Sequence, residues 1–247
     1  MRYLVLSDIH SNIEALDAVL AAASKAYDAV LVLGDLVGYG ADPNAVVERI
    51  RALKPVASVR GNHDKVAAGI EDADDFNQMA RSAAVWTREA LTSTTLDYLR
   101  DLPQGPQIVD EHIEICHGSP IDEDLYVVAE LDASRAIAVA RRPLCLFGHT
   151  HVALSARMDT ERVLRIDSPR GRPEFPVVLD ADATFLVNPG SVGQPRDGDA
   201  RAAYAIADME KKTVTLHRVA YAIEEAQKKI LKAGLPPALA YRLAMGR

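Results

Sequence analysis

Five short polar islands constrain this chain more than any other feature. They are Asp8-Ile9-His10, Gly34-Asp35, Gly61-Asn62-His63-Asp64, Cys116-His117-Gly118 and Gly148-His149-Thr150-His151. Each follows a short apolar run of the kind that forms a buried strand, such as Tyr3 to Leu6 before the first island and Leu144 to Phe147 before the last. Of the seven histidines, only His112 and His217 lie outside the islands. If five strands of one sheet end at the same rim, their loops gather carboxylate, imidazole and carboxamide groups in one place. Hard-to-borderline nitrogen and oxygen donors of this kind point to a pair of metal ions such as manganese, iron or zinc, and away from copper(I) or an iron–sulfur cluster.

The first sixty or so residues alternate strand and helix. Ser11-Asn12-Ile13-Glu14 reads as a capping box that opens a helix running to about Ala26, with Ile13, Leu16, Val19 and Leu20 on its apolar face. Ala29 to Leu33 forms a second strand, Asp42-Pro43 opens a second helix with proline at its first position, and Val56 to Val59 supplies a third strand. This alternation predicts a mostly parallel sheet with crossover helices. Lys65 to Leu102 is polar with scattered apolar positions and reads as a helical insertion at about 65–102. Strands resume at Gln107 to Val109 and His112 to Cys116. From Val152 to Val219 closely spaced strand-like runs predict antiparallel pairing and a second sheet. Helices at about Ile223 to Lys232 and Pro237 to Ala244 close the chain. The expected fold is α/β (an α+β sandwich): two mixed β-sheets packed face to face with flanking helices, and a metal site at the C-terminal rim of the strands. It is expected as a single domain over residues 1–247.

Charge and composition narrow the function classes. A formal charge of −7 argues against a nucleic-acid-binding surface, and cations held by Asp8 and Asp35 would neutralise part of it. No apolar run approaches the ~20 residues of a membrane helix, and the apolar start runs straight into the first island, so no signal-peptide core is read there. Cys116 and Cys145 each sit in an apolar run and read as buried thiols of a cytosolic protein rather than as a disulfide. A soluble, cytoplasmic protein is expected.

Within the islands, Asp8 and His10 are two residues apart, as are His149 and His151. In extended chain such residues point to the same side and reach one ion. Asp35 stands alone behind Gly34 and is the natural bridging carboxylate. Taken singly, these residues have plainer uses. Asp8 suits a helix cap, Asn62 a turn, and His10 or His117 a hydrogen-bonded place in the core. Together, two carboxylates, four imidazoles and a carboxamide form a ligand set.

In their order along the chain, the five islands resemble the motif blocks of the calcineurin-like metallophosphoesterase superfamily. Asn188-Pro189-Gly190-Ser191-Val192-Gly193 resembles its small bacterial and archaeal phosphodiesterase branch. The resemblance implies two divalent ions (manganese, iron, zinc or nickel), the first held by Asp8, His10, Asp35 and His151. Asp35, Asn62, His117 and His149 would hold the second, with Asp35 shared. A water between the ions would attack phosphorus, and His63 would assist the leaving alkoxide. Gly38-Tyr39 stands where phosphoprotein phosphatases carry an Asp-Arg pair that orients the histidine and clamps phosphate. That departure shifts the expected reaction towards hydrolysis of small phosphodiesters or phosphomonoesters.

The expected partner is accordingly a small phosphorylated substrate, with no membrane and no nucleic acid. The rival readings are a nucleotide or dinucleoside polyphosphate hydrolase, and a non-catalytic protein-binding scaffold of the same fold, against which the presence of His63 argues. Several residues stay open at this stage. Ser191, Gly193 and Arg196 present donors to an anion or merely join two strands, Tyr39 stacks on a base or packs beneath the metals, and Arg60 faces the sheet or the site. Asp64 is expected as a helix cap, His112 on the surface, His217 as structural, and Thr150 bonded within its own loop.

Overall fold

The strands that carry the five islands belong to two sheets, not one. The computed structural model describes residues 1–247. Its first half runs β1 (Arg2–Leu6), α1 (Ile13–Ala22), β2 (Ala29–Val32), α2 (Pro43–Leu53) and β3 (Ala57–Ser58), then three helices, α3 (Asn62–Ala68), α4 (Gln78–Ala90) and α5 (Ser93–Arg100). Then come β4 (Gln107–Ile108), β5 (Ile113–Ile115), α6 (Glu130–Val139) and β6 (Leu144–Leu146). Six strands follow: β7 (Leu154–Asp159), β8 (Leu164–Asp167), β9 (Glu174–Val178), β10 (Ala183–Asn188), β11 (Ala202–Asp208) and β12 (Thr213–Val219). Helices α7 (Ile223–Lys232) and α8 (Pro237–Tyr241) and a 3₁₀ turn at Arg242–Met245 end the chain.

One six-stranded sheet has the order β3-β2-β1-β11-β12-β9 and the other β4-β5-β6-β10-β7-β8. Both are mixed. The expected sandwich is therefore present, but the late strands do not make a sheet of their own. β9, β11 and β12 complete the first sheet, and β7, β8 and β10 join the second. The reason is the antiparallel pairing of β11 with β1, which places Ala205 opposite Val5 and seals that edge of the parallel trio.

Register sets the site. Leu6 lies beside Val32, Val32 beside Ser58, and Leu146 beside both Ile115 and Val187, so parallel neighbours end level with one another. All five islands leave from these C-terminal ends. Alternation along the strands builds the layers. In β1, Tyr3 and Val5 enter the core between the sheets with Leu31, Ile113, Leu146 and Phe185, while Leu4 and Leu6 pack outward against Leu16, Val19 and Ile50 of α1 and α2. Being covered on both faces, β1 reads as a continuous apolar run. On the far side, Cys116, Cys145 and Phe147 pack against Ala133 and Ile137 of α6.

Two local expectations shift. Ser11 has φ of +53° and gives its N–H to the Leu36 carbonyl, so it cannot cap α1. Asn12 caps it instead, accepting from the Ala15 N–H at 3.1 Å, and the helix ends at Ala22 rather than near Ala26. Helix α2 does begin with Pro43 at its first position.

Candidate metal centre

Five of the seven candidate ligands have left-handed backbone. Asp8, His10, Asp35, His149 and His151 have φ of +53°, +49°, +52°, +67° and +60°. Each such non-glycine residue costs on the order of 1–3 kcal/mol, and the conformation persists only where the surroundings fix it. Here the loops are tied to one another. The Asp8 N–H donates to the Gly34 carbonyl, and the Ile9 and His10 N–H groups to the Asp35 carbonyl. The His149 N–H donates to the Asp8 carboxylate oxygens at 3.1 and 3.2 Å. A Cβ on Gly61 would strike the Asp35 carboxylate, so the glycine in that island is a clearance requirement.

The imidazoles are locked in one tautomer. His10 donates from Nδ1 to the Val37 carbonyl at 3.0 Å, His117 to the Leu33 carbonyl at 2.8 Å, and His151 to the Gln194 carbonyl at 2.6 Å. Each therefore turns its Nε2 lone pair into the site, the use that metal-binding histidines make of a carbonyl partner. His10 Nε2 and His151 Nε2 are 3.0 Å apart, and His117 Nε2 is 3.1 Å from His149 Nδ1. The His10 and His151 lone pairs repel at that separation unless a proton or a cation lies between them.

Two groupings result. Asp8, His10, Asp35 and His151 each offer an atom within 4.8 Å of the others, and so do Asp35, His117 and His149. Asn62, the first residue of α3, adds its Oδ1 at 3.3 Å from His117 Nε2. Asp35 faces both groups, with Oδ2 3.6 Å from His10 Nε2 and 3.4 Å from His117 Nε2. Its Oδ1 accepts from the His63 N–H at 2.9 Å.

The electrostatics fit a cation. Asp8 and Asp35 are buried, and no lysine or arginine forms an ion pair with either. Burial pushes the Asp8 carboxyl up to about 6. Burial also opposes ionisation of Asp35, but the surrounding imidazoles, His117 foremost, hold it well below the usual carboxylate range. Burial disfavours the His117 cation too, yet Asp35 and Asp8 override it and raise that imidazole to about 10. The protein alone thus answers its buried carboxylates with a proton on His117. Burial keeps His10 and His151 neutral, well below the usual imidazole range. Buried carboxylates, facing lone pairs and locked tautomers are what a divalent ion needs.

His63 lies beside these groups. It is buried, and burial lowers its imidazole to about 4. Its ring packs against Tyr39 at 4.3 Å, Phe76 at 4.6 Å and His10 at 5.0 Å between centroids, and its Nδ1 has no hydrogen-bond partner. Asp64 caps its own turn as expected, accepting from the Gly61 N–H at 3.0 Å and the Val37 N–H at 3.2 Å.

The open residues now have places. Ser191 Oγ donates to the Asp8 carbonyl and the Gly193 N–H does the same, so the Ser191 hydroxyl and the Gly193 N–H are both spent inside the fold. Arg60 turns away to Glu123, at 3.0 and 3.1 Å. Tyr39 packs on His10 and His63, with the Arg196 guanidinium 5.6 Å above its ring. Thr150 bonds to Asn188 Nδ2 at 3.0 Å. His112 is exposed, and His217 stacks on Tyr204 at 4.9 Å. Sequence reading missed Ser7, whose Oγ donates to Asp8 Oδ2 at 2.6 Å; its place next to Asp8 was the available signal. It also missed Gln194, which acts through its backbone carbonyl and leaves no mark of residue type.

Comparison with known proteins gives concordant results. A family model described as the calcineurin-like phosphoesterase superfamily domain matches residues 1–212. The uncharacterized protein MJ0912 of Methanocaldococcus jannaschii is 37% identical over 98% of this chain and 97% of its own. A metallophosphoesterase from Sphaerobacter thermophilus superposes with a TM-score of 0.89 at 40% identity, covering 100% of this chain and 99% of its own. The hypothetical protein PH1004 from Pyrococcus horikoshii OT3 shares the fold at a TM-score of 0.81 and 22% identity, covering 100% and 98% of the two chains.

Proposed function

Because this chain belongs to the calcineurin-like phosphoesterase superfamily, we propose that it hydrolyses phosphodiester or phosphomonoester bonds of small substrates with two divalent metal ions. In this reading Asp8, His10, Asp35 and His151 hold one ion, and Asp35, Asn62, His117 and His149 the other. The observation that carries the reading is the shared carboxylate, since Asp35 Oδ2 faces the Nε2 atoms of His10 and His117 at 3.6 and 3.4 Å. Manganese, iron, zinc or nickel suits the donors. When bound, such a pair neutralises phosphoryl oxygens and brings the pKa of water from 15.7 towards roughly 7.

The chain's own residues do the rest. The carbonyl-locked imidazoles keep their lone pairs aimed inward without rearrangement. His63 is neutral at pH 7, because burial lowers its imidazole to about 4. A buried N–H without an acceptor costs more than an idle lone pair, so with Nδ1 unpartnered the proton belongs on Nε2. From there it hydrogen-bonds the leaving oxygen. In the overall balance water's oxygen joins phosphorus, the ester P–O bond breaks, and a proton leaves on the alcohol. The reading also sets the protein in the cytoplasm, supported by Cys116 and Cys145 as free buried thiols with Sγ atoms 3.7 Å apart. No helix is long and apolar enough to cross a membrane.

The test is direct. Metal-depleted protein reconstituted with manganese, iron(II), zinc or nickel should hydrolyse 4-nitrophenyl phosphate or its bis-aryl diester. His63→Ala should keep its metal content and lose roughly 10²-fold or more of turnover. Protein carrying both ions that hydrolyses neither ester with any of the four metals would overturn the proposal.

A further inference from the structure

A cleft of about 240 Å³ opens beside His63 and His149. Three aromatic side chains line it, and each packs on one of those histidines. Tyr39 and Phe76 lie 4.3 and 4.6 Å from the His63 ring, and Tyr126 lies 3.8 Å from the His149 ring. Apart from Asn62 and Asn77 the remaining polar wall is acidic, built from Glu71, Asp72, Asp75 and Asp124, and no lysine or arginine lines the cleft.

The acidity is not cancelled from behind. Lys65 is buried under the wall and its Nζ donates to Glu71 at 3.0 Å, Asp124 at 2.5 Å and Glu123 at 3.2 Å. Arg60 is spent on Glu123. Two cations thus face three carboxylates, while Asp72 and Asp75 make no ion pair at all. Unspent acceptors and a buried, unpartnered ring nitrogen belong to the same lining. Asp124 Oδ1 has no partner, and neither has Nε2 of His149, a residue only 3% exposed.

This combination selects by charge. An anionic arm would enter against the field of the carboxylates. An ammonium or trimethylammonium group is drawn both by that field and by the exposed Tyr126 ring, whereas Tyr39 is buried and already carries the Arg196 guanidinium over its ring. The volume lies below the roughly 300–1,000 Å³ of pockets for drug-sized ligands and suits a short arm. We propose that the substrate is a phosphoester of a cationic amino alcohol, its phosphoryl group at the paired Asp–His clusters and its ammonium end in the cleft. This rests on the phosphoesterase reading and adds the chemistry of the group next to His63, which is the alcohol that departs.

The probe is a matched pair, phosphocholine and its uncharged isostere 3,3-dimethylbutyl phosphate. Both are titrated calorimetrically into manganese-loaded protein and tested as competitive inhibitors of 4-nitrophenyl phosphate hydrolysis. Phosphocholine should bind roughly tenfold more tightly. The Asp72→Asn, Asp75→Asn double variant should lose most of that preference, while the uncharged 3,3-dimethylbutyl phosphate should bind it no more weakly than it binds the unaltered protein. Equal binding of the two probes, or a preference that survives in the double variant, overturns the amino-alcohol assignment. Normal aryl phosphate hydrolysis alongside that result would leave the phosphoesterase reading standing. Absent hydrolysis by fully metallated protein removes the reading itself, and the inference with it.

Discussion

His63 and Gly38 are fitted to each other: a Cβ on Gly38 would lie 2.5 Å from His63 Nδ1 and 3.1 Å from the His63 Cβ. Gly38 also has φ of +93°, a conformation that side chains rarely adopt. The glycine therefore meets two demands, one of space and one of backbone. It also explains why His63 Nδ1 is unpartnered, since the residue facing it has no side chain. The aspartate that phosphoprotein phosphatases place here to orient their histidine has no room in this backbone.

Gly38→Ala should accordingly displace the His63 ring while leaving the metal ligands in place. Turnover of an aryl phosphate is expected to fall roughly 10²-fold, the cost of a displacement near 1 Å in a reacting group. Metal content, read by mass spectrometry of the purified protein, should not change. Loss of metal together with turnover would show that Gly38 supports the centre as a whole.

The reach of the sequence is easiest to see from individual residues. Asp8, His10, His149 and His151 were legible because both the island spacing and the strand-end position are local properties of the chain. Two mixed sheets were legible too, but the division of the late strands between them was not, because the antiparallel pairing of β1 with β11 joins residues about two hundred positions apart, such as Val5 and Ala205. Lys65 read as an ordinary polar helix residue, yet it is buried. Its partners Glu123 and Asp124 lie in a distant loop, and charge pairing of that kind leaves no periodic signal. The donors expected of Ser191 and Gly193 are spent on the Asp8 carbonyl, an acceptor that residue type cannot reveal.

Asp35→Asn tests the sharing of one carboxylate between two clusters. Both groupings contain Asp35, so the variant should lose affinity for both ions, whereas His149→Ala, which touches one grouping, should lose one. Activity of Asp35→Asn should drop by at least ~10²-fold, the upper end of what removing a mere ligand-supporting group costs. Metal-to-protein ratios measured after equilibration against a weak chelator separate the two variants. Equal ratios in both would refute a bridging role.

Arg196 is the one guanidinium held over the candidate site, 5.6 Å above the Tyr39 ring, with Nη2 bonded to Gln194 Oε1 at 3.1 Å and Nε buried without a partner. A planar donor with spare N–H groups suits a phosphoryl oxygen. Arg196→Ala should raise KM roughly tenfold and weaken inhibition by inorganic phosphate, with metal content unchanged. Lysine at this position should restore only part of the effect, because it lacks the planar fork. Steady-state kinetics of the three proteins decide the matter. An altered kcat with an unchanged KM would assign Arg196 to the support of Tyr39 instead.

Lys65→Met tests the ion cluster beneath the cleft and brings a pH signature. The substitution keeps an apolar stem in a position that is 1% exposed but leaves Glu71, Glu123 and Asp124 without their common cation. Breaking a buried pair costs about 3–5 kcal/mol, and because Glu71 and Asp124 are roughly half exposed the expected loss is about 2–3 kcal/mol at pH 7. For Glu123, burial opposes ionisation, but Arg60 and Lys65 outweigh it and hold the carboxyl below its usual 4.5. A depressed folded value means that this stabilisation is complete above 4.5 and fades as pH falls through the lowered folded value. The stability gap between the natural protein and Lys65→Met should therefore be widest near neutrality and shrink as the solution is acidified past that point. Urea unfolding of both proteins at a series of pH values measures it. A gap independent of pH would mean that Lys65 contributes through the packing of its stem, and not through its charge.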